Sequence, residues 1–165
     1  MVFSDLKFIY IFLPVFFLLY FLIPRRFSNL FVFFASLVFY TLGTLDRPLY
    51  ALLFLADIFV TFLAGLMIQD HPRHKRLLLV LAAVYNFGLL FAFKYQGFIC
   101  SGINSLLPEN MQIPLLNLVL PVGISFYTFQ AMSYVADVYR GNIRAERSFV
   151  DYGAYISMFP QLVAG

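Results

Sequence analysis

Charge is what this sequence has least of. Of its 165 residues only 12% are Asp, Glu, Lys or Arg, while 62% are hydrophobic; soluble domains carry roughly 25% and 45–50% respectively. Tryptophan is absent and cysteine occurs once, as Cys100. A single cysteine excludes an intrachain disulfide framework and any zinc site built on several thiolates, and it leaves the redox compartment open. With 22 Phe and 11 Tyr to hide and so few charges to cover them, a water-soluble globule is excluded. Lipid must solvate much of the apolar surface, which makes this an integral membrane protein. The net charge of +3 is carried by short basic clusters between apolar runs. That pattern fits topology signals and excludes a nucleic-acid footprint. Also missing are a nucleophile elbow, a phosphate-binding glycine loop, a His-Glu-x-x-His helix and a paired carboxylate. There is no internal repeat, no low-complexity tract and no soluble domain.

What is present is a series of charge-free runs near the roughly 17–25 residues a helix needs to cross the hydrocarbon core. They cover residues 8–24, 27–45, 48–69 (interrupted only by Asp57) and 77–93. A fifth run, 110–136, holds Pro114, Asn117 and Pro121, which predicts a bent or re-entrant entry and then a helix over 121–137, since proline is tolerated in a helix's first turn. A last stretch, 149–165, charged only at Asp151, begins another apolar helix and meets Pro160. The fold class is therefore all-α and polytopic, with about five to six membrane segments. A signal peptide is not the favoured reading of the first run, because Asp5 balances Lys7 and no small-x-small cleavage site precedes Arg25.

If the spans alternate, eight of the eleven basic residues fall on one side: Arg25, Arg26, Arg73, Lys75, Arg76, Arg140, Arg144 and Arg147. The positive-inside rule then places that side in the cytoplasm and the N-terminus outside. The stretch 97–112 must be an external loop or a surface-lying segment. Tyr40, Tyr50 and Tyr95 fall near span ends, where interfacial aromatics are expected.

Three constellations can carry chemistry. Asp57 lies in mid-span, where an unpaired carboxylate is costly, and Thr61, four residues on, can donate to it; a structural contact between helices competes with a proton or substrate path. Residues 120–130 read Leu-Pro-Val-Gly-Ile-Ser-Phe-Tyr-Thr-Phe-Gln. At a helical period Tyr127, Gln130, Tyr134 and Asp137 fall within about 80° of one another. Such a polar stripe must line a cavity or meet another polar surface. Gly123 and Ser125 are small enough to admit a close helix neighbour. Arg140, Arg144 and Arg147 follow the stripe; this basic turn either anchors to anionic headgroups or receives an acidic carrier or phosphorylated donor. His71 and His74 sit in the basic loop Asp-His-Pro-Arg-His-Lys-Arg, where neighbouring cations and Pro72 oppose a metal site. No metal and no bound cofactor are expected.

The motif at 120–130 resembles the core motif of the membrane-bound O-acyltransferase family, in its alginate O-acetyltransferase branch. The opening Met-Val-Phe-Ser with Phe12, Leu13, Pro14 and Val15, the run Asp137, Val138, Tyr139, Arg140 and Gly141, and the closing Phe-Pro-Gln-Leu-Val-Ala-Gly over 159–165 resemble it too. The resemblance implies transfer of an acyl group, acetyl first among candidates, from a cytoplasmic thioester donor (an acyl-CoA or acyl carrier) through a tunnel to a hydroxyl of an extracytoplasmic polysaccharide such as alginate. It implies a bacterial inner membrane location and periplasmic polysaccharide-modifying partners. It also implies a catalytic membrane-helix histidine that neither His71 nor His74 matches, so residues 1–165 are expected to be the N-terminal part of a longer transmembrane domain, inactive alone. The positions carried over as tunnel wall are Ser125, Tyr127, Gln130, Asp137, Tyr139, Arg140 and Gln161, with Tyr134 added from the stripe. Two other readings stand beside this one: a small transporter or channel subunit, and a non-catalytic membrane scaffold.

Overall fold

A computed structural model describes residues 8–44, 48–105, 120, 121 and 123–158. Among them the chain is helical without a strand. A π-helical stretch, Phe8–Phe12, leads into α1 (Leu13–Leu22); a short 3-10 turn, Arg25–Phe27, leads into α2 (Ser28–Gly43). Then come α3 (Leu49–Asp70), α4 (Lys75–Lys94), α5 (Gln96–Asn104), α6 (Ile124–Arg140) and α7 (Phe149–Ser157). Residues 25–43, α3 and α4 are long and apolar enough to cross a membrane; the helix through residues 10–22 is apolar but shorter.

The helix ends follow from local chemistry. Pro48, which needs no N–H partner, stands before α3, and Pro72 sits in the turn after it. Gly141, at φ 79°, ends α6: its N–H donates to the Val138 carbonyl and the Asn142 N–H donates to that of Asp137. Only glycine takes this left-handed conformation at no steric cost. The Ser148 hydroxyl accepts from the Asp151 N–H and caps α7.

Several sequence expectations shift in detail. The helix expected from Pro121 begins at Ile124, because Gly123 adopts a left-handed φ of 74° and the Pro121 carbonyl accepts the Ile124 N–H as a turn. Residues 97–104 of the expected loop or surface segment lie in α5, so that part of it is helical. Tyr40 and Tyr50 are not interfacial anchors: both are buried, Tyr40 stacked on Phe54 at 4.5 Å and Tyr50 edge-on to Phe93 at 5.8 Å. Packing against a neighbouring aromatic has outcompeted the water boundary for these two rings. Tyr95 remains exposed. Pro114, Asn117, Pro160, Gln161, Lys7 and Arg47 lie outside the described residues.

The core is where α3, α6 and α7 meet, around Phe54, Ile58, Ala131, Val135, Tyr152 and Ile156. Helix α2 packs along α7, and α4 packs along α3 and α6. Much of the outer surface is apolar: Phe21 is 81% exposed, and Val80, Val84, Phe87 and Phe91 form an open face of α4. Water would not tolerate this surface, so lipid or other protein covers it.

The arrangement also collects the basic residues. The Asn29 amide of α2 donates to the Asp151 carboxylate of α7 at 2.8 Å, and the Ala145 N–H donates to the Gln69 amide oxygen of α3 at 2.6 Å. The start of α2, the α3–α4 turn and the loop after α6 therefore share one end of the bundle. All eight basic residues grouped from the sequence sit there. Lys94 is at the other end, its ammonium 3.5 Å from the Ser125 hydroxyl at the start of α6.

Candidate functional site

Three polar regions emerge, and the residues singled out from the sequence divide among them. The first is a buried belt centred on Asp57, which is 2% exposed. Thr61 does share its face, but its hydroxyl donates to the main-chain carbonyls of Asp57 (2.7 Å) and Ile58 (3.2 Å), not to the carboxylate. The same hydroxyl accepts from the Tyr152 O–H at 2.8 Å. Neither Asp57 carboxylate oxygen has a hydrogen-bond partner among the described residues. A back-bonded threonine is the ordinary outcome in an apolar helix, where the main-chain carbonyl four residues earlier is the nearest acceptor.

The second region lies along α6. The expected stripe does not act as one surface. Tyr127 is buried against Phe54, ring centroids 4.8 Å apart, and Tyr134 is buried against Tyr152 at 4.7 Å. The Tyr134 ring is admitted by Gly65 of α3, where a Cβ would come within 2.7 Å of it. Gln130 donates from its amide to the Tyr155 carbonyl at 3.0 Å and, with Ser125, Phe126 and Phe129, borders a groove of about 390 Å³ on the outer face of α6. Asp137 is held at the helix end, its carboxylate accepting from the Asn142 amide at 3.1 Å.

The third region is a pocket of about 750 Å³ at the basic end, between the α3–α4 turn and the loop 141–147. Tyr139 and Arg140, from the sequence motif, border it, as do Lys75, Arg144 and Arg147. The Lys75 ammonium lies 4.9 Å from the centre of the Tyr139 ring, a cation–π contact. The loop is fixed by bonds that sequence reasoning did not anticipate. Besides the Ala145 bond to Gln69, the Glu146 N–H donates to the Tyr134 hydroxyl at 2.9 Å, and the Glu146 carboxylate accepts the N–H groups of Arg147 and Ser148. The available signals were Gly65, a small residue inside a span, and Gln69, an amide at its end. His71 and His74 stand exposed in the same turn.

The Tyr134 bond makes a direct prediction. Tyr134→Phe keeps the ring over Gly65 but removes the acceptor for Glu146, so it should cost about 1 kcal/mol. Hydrogen exchange of amides 145–148 should quicken while that of α3 stays unchanged; unaltered exchange in the loop would show that this bond does not hold it.

No family model and no solved structure matches the chain. Among proteins of known description, it is 38% identical over 170 residues to the probable alginate O-acetylase AlgI of Pseudomonas aeruginosa and 37% identical over 170 to that of Azotobacter vinelandii. It is 32% identical over 196 residues to the peptidoglycan O-acetyltransferase of Helicobacter pylori. Each match takes in the whole of this chain but only 32%, 34% and 36% of the respective relative. The chain thus spans about a third of the length of the relatives it matches. Along all of its own length it is similar to proteins described as probable alginate O-acetylases and to one described as a peptidoglycan O-acetyltransferase.

Proposed function

We propose that this chain forms part of a bacterial inner-membrane O-acetyltransferase, supplying the N-terminal helical scaffold and one wall of a substrate tunnel. The observation that carries the reading is the similarity of the whole chain to proteins described as alginate O-acetylases and as a peptidoglycan O-acetyltransferase. An all-α membrane bundle with its basic residues collected at one end supports it. In this reading the basic end faces the cytoplasm, the N-terminus lies outside, and a thioester donor, acyl-CoA or an acyl carrier, approaches from the basic side. The acceptor is a hydroxyl of an extracytoplasmic polysaccharide such as alginate, delivered with the help of periplasmic polysaccharide-modifying proteins. The hydroxyl oxygen bonds to the acyl carbon, the carbon–sulfur bond breaks, and the hydroxyl proton ends on the departing thiolate by way of a general base. In this reading neither His71 nor His74, exposed in the basic turn, is that base, and residues 1–165 do not complete the reaction by themselves.

Within the chain, the best-placed wall residues are Ser125 and Gln130, which border an open groove while the rings of Tyr127 and Tyr134 are packed inward. In the complete acetylase, Gln130→Ala should lower polysaccharide acetylation by about tenfold, the scale of one lost hydrogen bond, with membrane insertion unchanged. Tyr127→Ala should lower it too, through loss of the packing that positions α6. Undiminished acetylation in both variants would leave the purely structural reading. The Asp57 carboxylate, without a hydrogen-bond partner among the described residues, is the observation that favours the transport alternative. Substrate-dependent flux through vesicles containing this protein would establish that alternative; the acetylase reading predicts none.

A further inference from the structure

The basic pocket is built for more than the sidedness rule requires. Topology needs only positive charge somewhere in a loop; here Lys75 from α4, Arg140 from α6, and Arg144 and Arg147 from the following loop converge on one concave space of about 750 Å³. None of the four has an ion-pair partner among the described residues. The one acid on the pocket wall, Glu146, already has a carboxylate oxygen engaged by two main-chain N–H groups, so it is committed to shaping the loop. Asp137 is likewise held by Asn142.

The loop that carries two of these arginines is pinned to the bundle. Ala145 is bonded to Gln69, Glu146 is bonded to Tyr134, and Gly141 supplies the left-handed turn that starts the loop. A pinned loop offers its guanidinium groups with less entropy left to lose on binding, as pre-organised anion sites do. The wall between the cations includes the aliphatic side chains of Ile68, Val138 and Ile143. Ile143 stays 44% exposed beside Arg144. An exposed aliphatic group among arginines, at the ends of two membrane-length helices, belongs at the boundary between headgroups and acyl chains.

We propose that this pocket is a binding site for the phosphate of an anionic phospholipid headgroup, with the arginines on the phosphate oxygens and Ile143 against the glycerol and first methylenes. The chemistry recognised is a phosphate ester. A lipid is the source argued for because the pocket opens at the bilayer surface and pairs cations with aliphatic wall. A soluble phosphorylated compound presents the same oxygens but offers nothing to Ile143.

The test is a titration of the detergent-solubilised protein with short-chain phosphatidylglycerol and with short-chain phosphatidylcholine, followed by native mass spectrometry. The wild type should retain phosphatidylglycerol in preference to phosphatidylcholine. The double variant Arg144→Gln/Arg147→Gln should lose about thirtyfold in affinity for phosphatidylglycerol, on the basis of about 1 kcal/mol per basic residue near a membrane surface. The control Arg25→Gln/Arg26→Gln removes the same charge from the same end of the bundle but outside the pocket, and should change the affinity less than about threefold. An equal loss in the control overturns the proposal, since it would reduce the effect to general charge. Displacement of the lipid by inorganic phosphate or coenzyme A at matching concentration also overturns it, by making the pocket a site for a soluble ligand.

Discussion

Replacing Gly153 by leucine is expected to destabilise the bundle by about 3 kcal/mol, near the upper end for overpacking a filled interface. A Cβ at this position would lie 2.5 Å from Cε2 and 2.8 Å from Cζ of Phe33, so even alanine has no room. The Phe33 ring has little freedom to retreat: it is buried, and Phe149 stands edge-on to it at 5.8 Å. The Asn29–Asp151 hydrogen bond ties the same two helices a turn away. Leucine would therefore separate α7 from α2, and with it strain the loop that α7 anchors. Denaturant or thermal unfolding in a mild detergent measures the loss. Gly88→Leu makes the matched control, since nothing lies within 4 Å of a Cβ there; leucine's higher helix propensity should leave that variant as stable as the wild type or slightly more so, by up to about 1 kcal/mol. If both glycines tolerate the change equally, the close α2–α7 contact is wrong.

The sequence shows why some of this was readable in advance and some was not. Helix positions follow from the spacing of charges and prolines because burying main-chain polar groups in lipid leaves helices as the economical local solution. Thus the expected run 48–69 and the observed α3, Leu49–Asp70, nearly coincide, as do 77–93 and α4, Lys75–Lys94. Start points dictated by a left-handed glycine are harder to read, which is why α6 begins at Ile124 and not at Pro121. The stripe on α6 shows a deeper limit. Periodicity correctly puts Tyr127 and Tyr134 on neighbouring positions of the helix, but which surface meets them depends on residues far away: Phe54 and Gly65 on α3, Tyr152 on α7. Likewise the arginines of residues 140–147 are visible as a charge cluster, whereas the pocket they enclose depends on Gln69, which only the fold brings to Ala145.

Asp57→Leu is expected to raise the stability of the bundle by about 1–3 kcal/mol, the desolvation cost of a buried polar group left without a hydrogen bond. In the structure both carboxylate oxygens are buried and have no hydrogen-bond partner among the described residues. Thr61, the neighbour best placed to donate, spends its only proton on the main chain. The carboxylate thus bears a desolvation cost with no paired donor to offset it, and leucine removes that cost while filling the space beside Phe54 and Ile58. Asp57→Asn separates the acid from its shape: it removes the ionisable group but keeps polar atoms in place, so its gain should fall below that of leucine. Thermal unfolding of the three proteins in one detergent gives the ranking leucine, asparagine, aspartate from most to least stable. The reverse ranking would mean that a donor reaches the acid in the membrane, and would place Asp57 in a polar network that this packing does not contain. With the predicted ranking in hand, the same variants in the complete protein separate two roles under the acetylase reading. A more stable Asp57→Leu protein with undiminished acetylation makes the acid dispensable to the reaction, whereas greater stability with reduced acetylation shows a group kept for function at the expense of the fold.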